Sequence, residues 1–114
     1  MNVFDEREKA FEAKYRLDEE TAFKVNVRRD KLLGQWVAEK LGLSGKAAED
    51  YARAVVEADF EEPGDKDVVR KVLKDLAAAN IDFSEEKLAK EMRRLHEIAH
   101  EQIIADIKSQ PLRD

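Results

Sequence analysis

The first forty-two residues constrain this chain most, because residues 2–42 read as one long helical tract whose front half has no core of its own to join. Continuous, the tract would reach about 60 Å, whereas the later helical segments, at roughly 15 to 24 residues, reach only about 22 to 36 Å. Shorter neighbours cannot match it along its whole length, so the overhang points to a partner. Within the overhang Phe4, Phe11 and Tyr15 recur at spacings of seven and four, which sets them on one helical face. Residues 5–16 otherwise alternate in sign, a solvated surface rich in i,i+3 and i,i+4 pairs.

Leu17-Asp18-Glu19-Glu20-Thr21 offers a place to divide the tract, since Asp18 followed by two acids is the signature of a helix N-terminus. The expected organisation is a flexible N-terminal segment over residues 1–18 and a four-helix bundle over 19–114. An isolated helix of about 15 residues is marginal in water, so residues 1–17 are expected to be frayed or disordered until something binds them. In the bundle, Ala22, Val25, Leu33, Trp36, Val37 and Leu41 are the inward candidates of the first helix.

Glycine and proline mark the remaining boundaries. Gly42-Leu43-Ser44-Gly45 closes the first helix with a glycine and offers Ser44 as the next N-cap, after which Ala48, Tyr51, Ala52, Val55 and Ala58 line one face. Glu62-Pro63-Gly64 breaks the chain, and Asp65 is the expected N-cap of a helix burying Val68, Val69, Val72, Leu73 and Leu76, with Asn80 as its stop. Ser84 then caps a fourth helix that has acids in its first turn and Phe83 stapled to Leu88. Its buried stripe is Leu88, Met92, Leu95, Ala99 and Ile103, and it ends before Pro111. No strand-like alternation survives, so the predicted fold is all-α, a bundle of four antiparallel helices with short loops.

At 114 residues the chain is one domain, able to bury somewhat over ~60% of its unfolded surface without staples. Zero cysteines exclude disulfides and thiolate metal sites. The charged N-terminus and the lack of a long apolar run give no leader or membrane span, so the expected address is the cytoplasm, without membrane insertion. A net charge of −5 is dispersed, and the densest basic cluster, Arg28-Arg29-Asp30-Lys31, is short and interrupted by acid, which argues against nucleic acid.

Phe4-Asp5-Glu6-Arg7, Ala10-Phe11-Glu12-Ala13-Lys14-Tyr15 and Arg29-Asp30-Lys31-Leu32-Leu33-Gly34-Gln35-Trp36 together carry a family likeness. The chain resembles the zeta subunits of alphaproteobacterial F-type ATP synthases. The resemblance implies a four-helix protein whose N-terminal segment wedges into a catalytic α/β interface of the ATPase head and blocks rotation in the hydrolysis direction. The protein is then an inhibitor and not an enzyme, peripherally associated with the membrane-bound synthase through the α and β subunits, with γ as a further candidate, and monomeric when free. By motif match the inhibitory element maps onto Phe4, Arg7, Phe11, Lys14 and Tyr15, with the bundle from Glu19 onward as its anchor. Ordering about 15 residues opposes binding by roughly 15 to 30 kcal/mol, which the aromatic anchors and new hydrogen bonds must more than offset. Two other destinations for the stripe are this chain's own bundle and a homodimer. The competing function is a stand-alone helical module that dimerises or binds a ligand such as a purine nucleotide, although no Gly-rich phosphate loop is present.

His96-Glu97-Ile98-Ala99-His100 spells H-E-x-x-H, the zinc-protease helix, and Asp106 stands where an extended pattern would place a third ligand. Ile103 occupies the position of the glycine that should turn the chain. On a continuing helix Asp106 lies about 15 Å from His96 along the axis, too far to share an ion. Measured from Met92, His96 and His100 fall about 40° and about 80° off the apolar stripe, so both are expected at its edge, with neither metal nor cofactor assigned. Gly34 is expected to permit close helix packing, and Trp36 to serve the core rather than a ligand pocket.

Overall fold

The computed structural model describes residues 18–61 and 64–109. They form α1 (Glu19–Lys40), α2 (Gly45–Asp59), α3 (Lys66–Ala78) and α4 (Glu85–Ser109). The helices pack into a compact all-α fold in which α1 contacts α2 and α4 most extensively. The flexible segment expected over residues 1–17 lies outside the described residues.

Asp18 has extended backbone angles, and its carboxylate accepts from the amides of Glu20 at 2.8 Å and Thr21 at 3.4 Å. Glu19 and Glu20 add acid to the first turn, as the helix dipole favours. At the other end, Gly42 takes φ +76°, and the Leu43 amide reaches back to the Ala38 carbonyl at 2.9 Å, which satisfies a carbonyl the helix leaves open. Ser84 accepts from the Lys87 amide at 3.1 Å. Asn80 adopts φ +61° and stops α3, the Ile81 amide bonding the Leu76 carbonyl at 2.9 Å.

Two expected caps work differently. Ser44 precedes α2 in an extended conformation, but its hydroxyl caps no amide. Asp65 precedes α3 and likewise leaves the helix uncapped, because its carboxylate is taken by Arg29. An ion pair with a fixed guanidinium fork outcompetes a cap that backbone carbonyls and solvent can replace.

The core joins Leu33 and Val37 of α1, Val55 of α2, Val68, Val72 and Leu76 of α3, and Leu88, Met92 and Leu95 of α4. A smaller cluster of Val25, Ala99 and Ile103 continues it between α1 and α4. The stripe expected on α4 is buried throughout; on α2 and α3 the expected faces are inward, with Ala48, Tyr51, Val69 and Leu73 half-buried. Gly34 lies against α2: a Cβ there would collide with the Ala52 Cα and sit 3.0 Å from the Ala52 Cβ. A glycine is needed for α1 and α2 to approach this closely. Trp36 is half-buried, edge-on to Phe83 with ring centroids 5.4 Å apart and the Lys40 ammonium 4.6 Å above it. It serves the core margin, as expected.

Candidate functional site

Two rows of α1 face inward at intervals of four: Thr21, Val25, Arg29, Leu33 and Val37, and beside them Asp30, Gly34 and Ala38. Ala22, expected inward, is exposed. Ala22 lies on the backward extension of the second row, through Asn26, but that row is buried only from Asp30 onward and both Ala22 and Asn26 are exposed. The first row carries Arg29 and the second Asp30 into the interior, 6% and 1% exposed. Sequence reasoning passed over both because they are charged, although their spacing from Val25, Leu33 and Gly34 was visible.

Burial of these charges is made possible by the partners that surround them. Arg29 Nε and one terminal nitrogen donate to Asp30 Oδ1 at 3.1 and 2.9 Å. Its two terminal nitrogens grip both oxygens of Asp65 at 3.2 and 2.8 Å, and Asp59 Oδ2 lies 3.6 Å away. One guanidinium thereby ties α1 to the last residue of α2 and to the loop before α3. Burial alone would lower the Arg29 pKa, but its hydrogen bonds to Asp65 and Asp30 and their charges outweigh that, and the net shift is upward. Asp30 moves the other way from an ordinary salt-bridged carboxylate. Burial, then a hydrogen bond shared with Asp59, push its pKa up to about 8 against the pull of Arg29. Two carboxyl groups share a hydrogen bond only when one of them holds a proton, so the upward shift belongs to the Asp30–Asp59 pair.

The histidines lie where the apolar stripe ends, both half-buried. They line an open cavity of about 300 Å³ with Thr21, Ala22, Val25, Asn26 and Glu97. His100 Nε2 is buried there without a protein partner. Asp106, the third position of the zinc pattern, pairs with Arg28 at 3.3 Å, and Arg28 also donates to Gln102 at 2.9 Å. Among the described residues, no three His, Asp or Glu side chains are grouped to hold a metal ion. The cavity also borders the acidic, capped first turn of α1, which offers a phosphate repulsion rather than open amides.

Phe4, Arg7, Phe11, Lys14 and Tyr15, the residues carried over as the inhibitory element, lie outside the described residues. What the structure describes is the body that follows them. At the same end of the molecule Phe23 of α1 stacks on Phe60, the C-cap of α2, at 5.6 Å between centroids. These are the large apolar side chains left exposed among the described residues.

The described residues define a small four-helix bundle with shallow grooves, in which Arg29 and its carboxylates hold the helices together. The comparisons supply the family. A family model described as ATPase inhibitor subunit zeta matches residues 1–102, and the chain belongs to that family. It is thus a non-catalytic regulator associated with ATP synthase. A solved solution NMR structure is 45% identical, the match covering 74% of this chain and 95% of that chain with a TM-score of 0.65. No curated protein matches the chain. No described helix is long and apolar enough to cross a membrane.

Proposed function

We propose that the protein restrains ATP hydrolysis by inserting its N-terminal segment into a catalytic α/β interface of the F-type ATPase head, while the bundle remains outside as the anchor. The observation that carries this reading is the reach of the family match, which starts at residue 1 and so spans the segment as well as the bundle. Phe4, Phe11 and Tyr15 are the apolar anchors, and Arg7 and Lys14 meet carboxylates or carbonyls lining the interface. The bundle suits the role of anchor: among the described residues, apolar side chains from Val25 to Ile103 join its four helices in two packed clusters.

The test is ATP hydrolysis by a cognate soluble ATPase head with and without the protein. The full chain is expected to inhibit, and a chain lacking residues 1–17 to fold but not inhibit. Phe11→Ala is the sharper variant, since loss of a hot-spot anchor costs about 2 kcal/mol, a weakening of about thirtyfold, with melting unchanged. Equal inhibition by the truncated and full chains would place the inhibitory element elsewhere. Failure of both to bind the head would remove the mechanism altogether.

A further inference from the structure

Phe23 and Phe60 are 54% and 58% exposed, yet their positions are built with care. They come from different helices, they stack on each other, and neither is among the side chains packed against the two apolar clusters. Phe60 directly follows Asp59, which faces Arg29, so the buried charge cluster holds the end of α2 against α1 where the rings meet. On its other side Phe23 borders an apolar groove between α1 and α4 that includes Val27, Ile103 and Ile107. A preorganised aromatic pair continuing into an apolar groove, with no part in the core, is the signature of a docking surface.

Its size and place indicate the occupant. Two half-exposed phenylalanine rings offer on the order of 200 Å², well below the ~800 Å² per partner of a stable association. A second copy of this chain would not be held by them. A small contact suffices, however, when another contact already tethers the same partner. Tyr15 and Phe23 are eight residues apart, about 12 Å along a helix and at most about 28 Å if extended. Any protein that grips residues 4–15 therefore brings its own surface to the neighbourhood of Phe23.

Resting on the reading of residues 1–17 as the inhibitory element, we propose that the Phe23–Phe60 face is a second contact with the same ATPase head, packing on an apolar patch at the rim of the cleft that admits the segment. The contact slows escape of the inserted segment; the segment itself blocks the enzyme. Lys24, Arg28 and Lys31 line the groove beside Phe23, the first two paired at the surface with Glu20 at 3.4 Å and Asp106 at 3.3 Å, so basic side chains rim the apolar contact.

Binding of the full-length chain to the cognate soluble ATPase head, followed by surface-immobilised kinetics, tests this directly. Phe23→Ala/Phe60→Ala is expected to dissociate about ten- to thirtyfold faster than the unaltered chain, with association little changed. A photoreactive benzophenone side chain in place of Phe60 is expected to label an α or β subunit. An unchanged dissociation rate overturns the proposal while leaving the inhibitory reading intact, and so does labelling confined to a second copy of this chain. A melting temperature lowered by more than a few degrees in the double variant overturns it as well, because the rings would then be structural. If the unaltered chain does not bind the head, the inhibitory reading has itself failed and this contact falls with it.

Discussion

The two halves of α1 bury different chemistry. From Leu33 onward the helix presents Leu33, Gly34, Val37 and Ala38 to its neighbours, an interior made of apolar surface and close backbone approach. From Glu19 to Asp30 it presents Thr21, Val25, Arg29 and Asp30, with a cavity beside the histidines and an exposed aromatic pair on its flank. The first half gains stability from area removed from water, which is non-directional and tolerant of conditions. The second depends on geometry, since buried charges are stabilising only while every partner stays in place. The half that needs exact partners is the half adjoining the segment assigned to inhibition.

The comparison is broken most easily in the apolar half. Leu33→Ala is expected to cost about 3 kcal/mol through lost burial and a residual cavity, lowering the melting temperature by about 12 °C or more in thermal denaturation. A drop of only a few degrees would mean that this half is not the stability core.

In the charged half, Arg29→Met should cost about 2 to 3 kcal/mol at pH 7, because it leaves the buried Asp30 and the largely buried Asp59 without their cation. The deficit should shrink at acidic pH, where a carboxyl group no longer needs a cation beside it, which denaturant titrations at several pH values would read. A pH-independent deficit would show that packing of the side chain, and not its charge, matters there.

Gly34→Ala separates helix propensity from tertiary contact. Alanine gains up to about 1 kcal/mol in a free helix, but its Cβ would strike Ala52, so a net loss of about 1 to 2 kcal/mol is expected. A stabilised variant would mean that α1 and α2 move apart freely.

Asp30 gives the interior a pH dependence of unusual sign. Burial and the hydrogen bond shared with Asp59 push its pKa up to about 8 in the fold, against 3.8 for the ordinary group. Between those values the folded chain binds more protons than the unfolded one. This contribution to stability is therefore full below about pH 4 and is lost as pH rises through about 8, with a slope of at most about 1.4 kcal/mol per pH unit. Asp30→Asn imitates the protonated form and should flatten the slope between pH 5 and 8. Stability that rises with pH over that range, with the same slope in the variant, would place the proton elsewhere.

The smallest expected effect is at the histidines. Replacing His96 and His100 by glutamine, or adding a chelator, should leave helix content and inhibition unchanged, since the α4 stripe and the Ser84 cap are complete without them. Stoichiometric zinc with loss of folding on its removal would reverse that conclusion.

The four helices, the all-α class and nearly every buried apolar position could be read from residue spacing, because a stripe of period 3.6 and a cap of the right residue type are local properties. The cap at Asp18, the stop at Asn80 and the inward face of α4 are of this kind. The family likeness was also legible, carried by motifs that continue from the N-terminal segment into α1. The same logic failed at Asp65, Ala22, Arg29 and Asp30. Whether an aspartate caps a helix or binds an arginine thirty-six residues away depends on which group the fold brings within reach. Whether a charge lies in the interior depends on how many partners await it there, and the pairing of Phe23 with Phe60 depends on where α2 ends against α1. Apolar burial is proportional to area and so is written along each helix by itself. Ion pairs, shared protons and exposed stacks are set by distances between helices, and those exist only once the helices have packed.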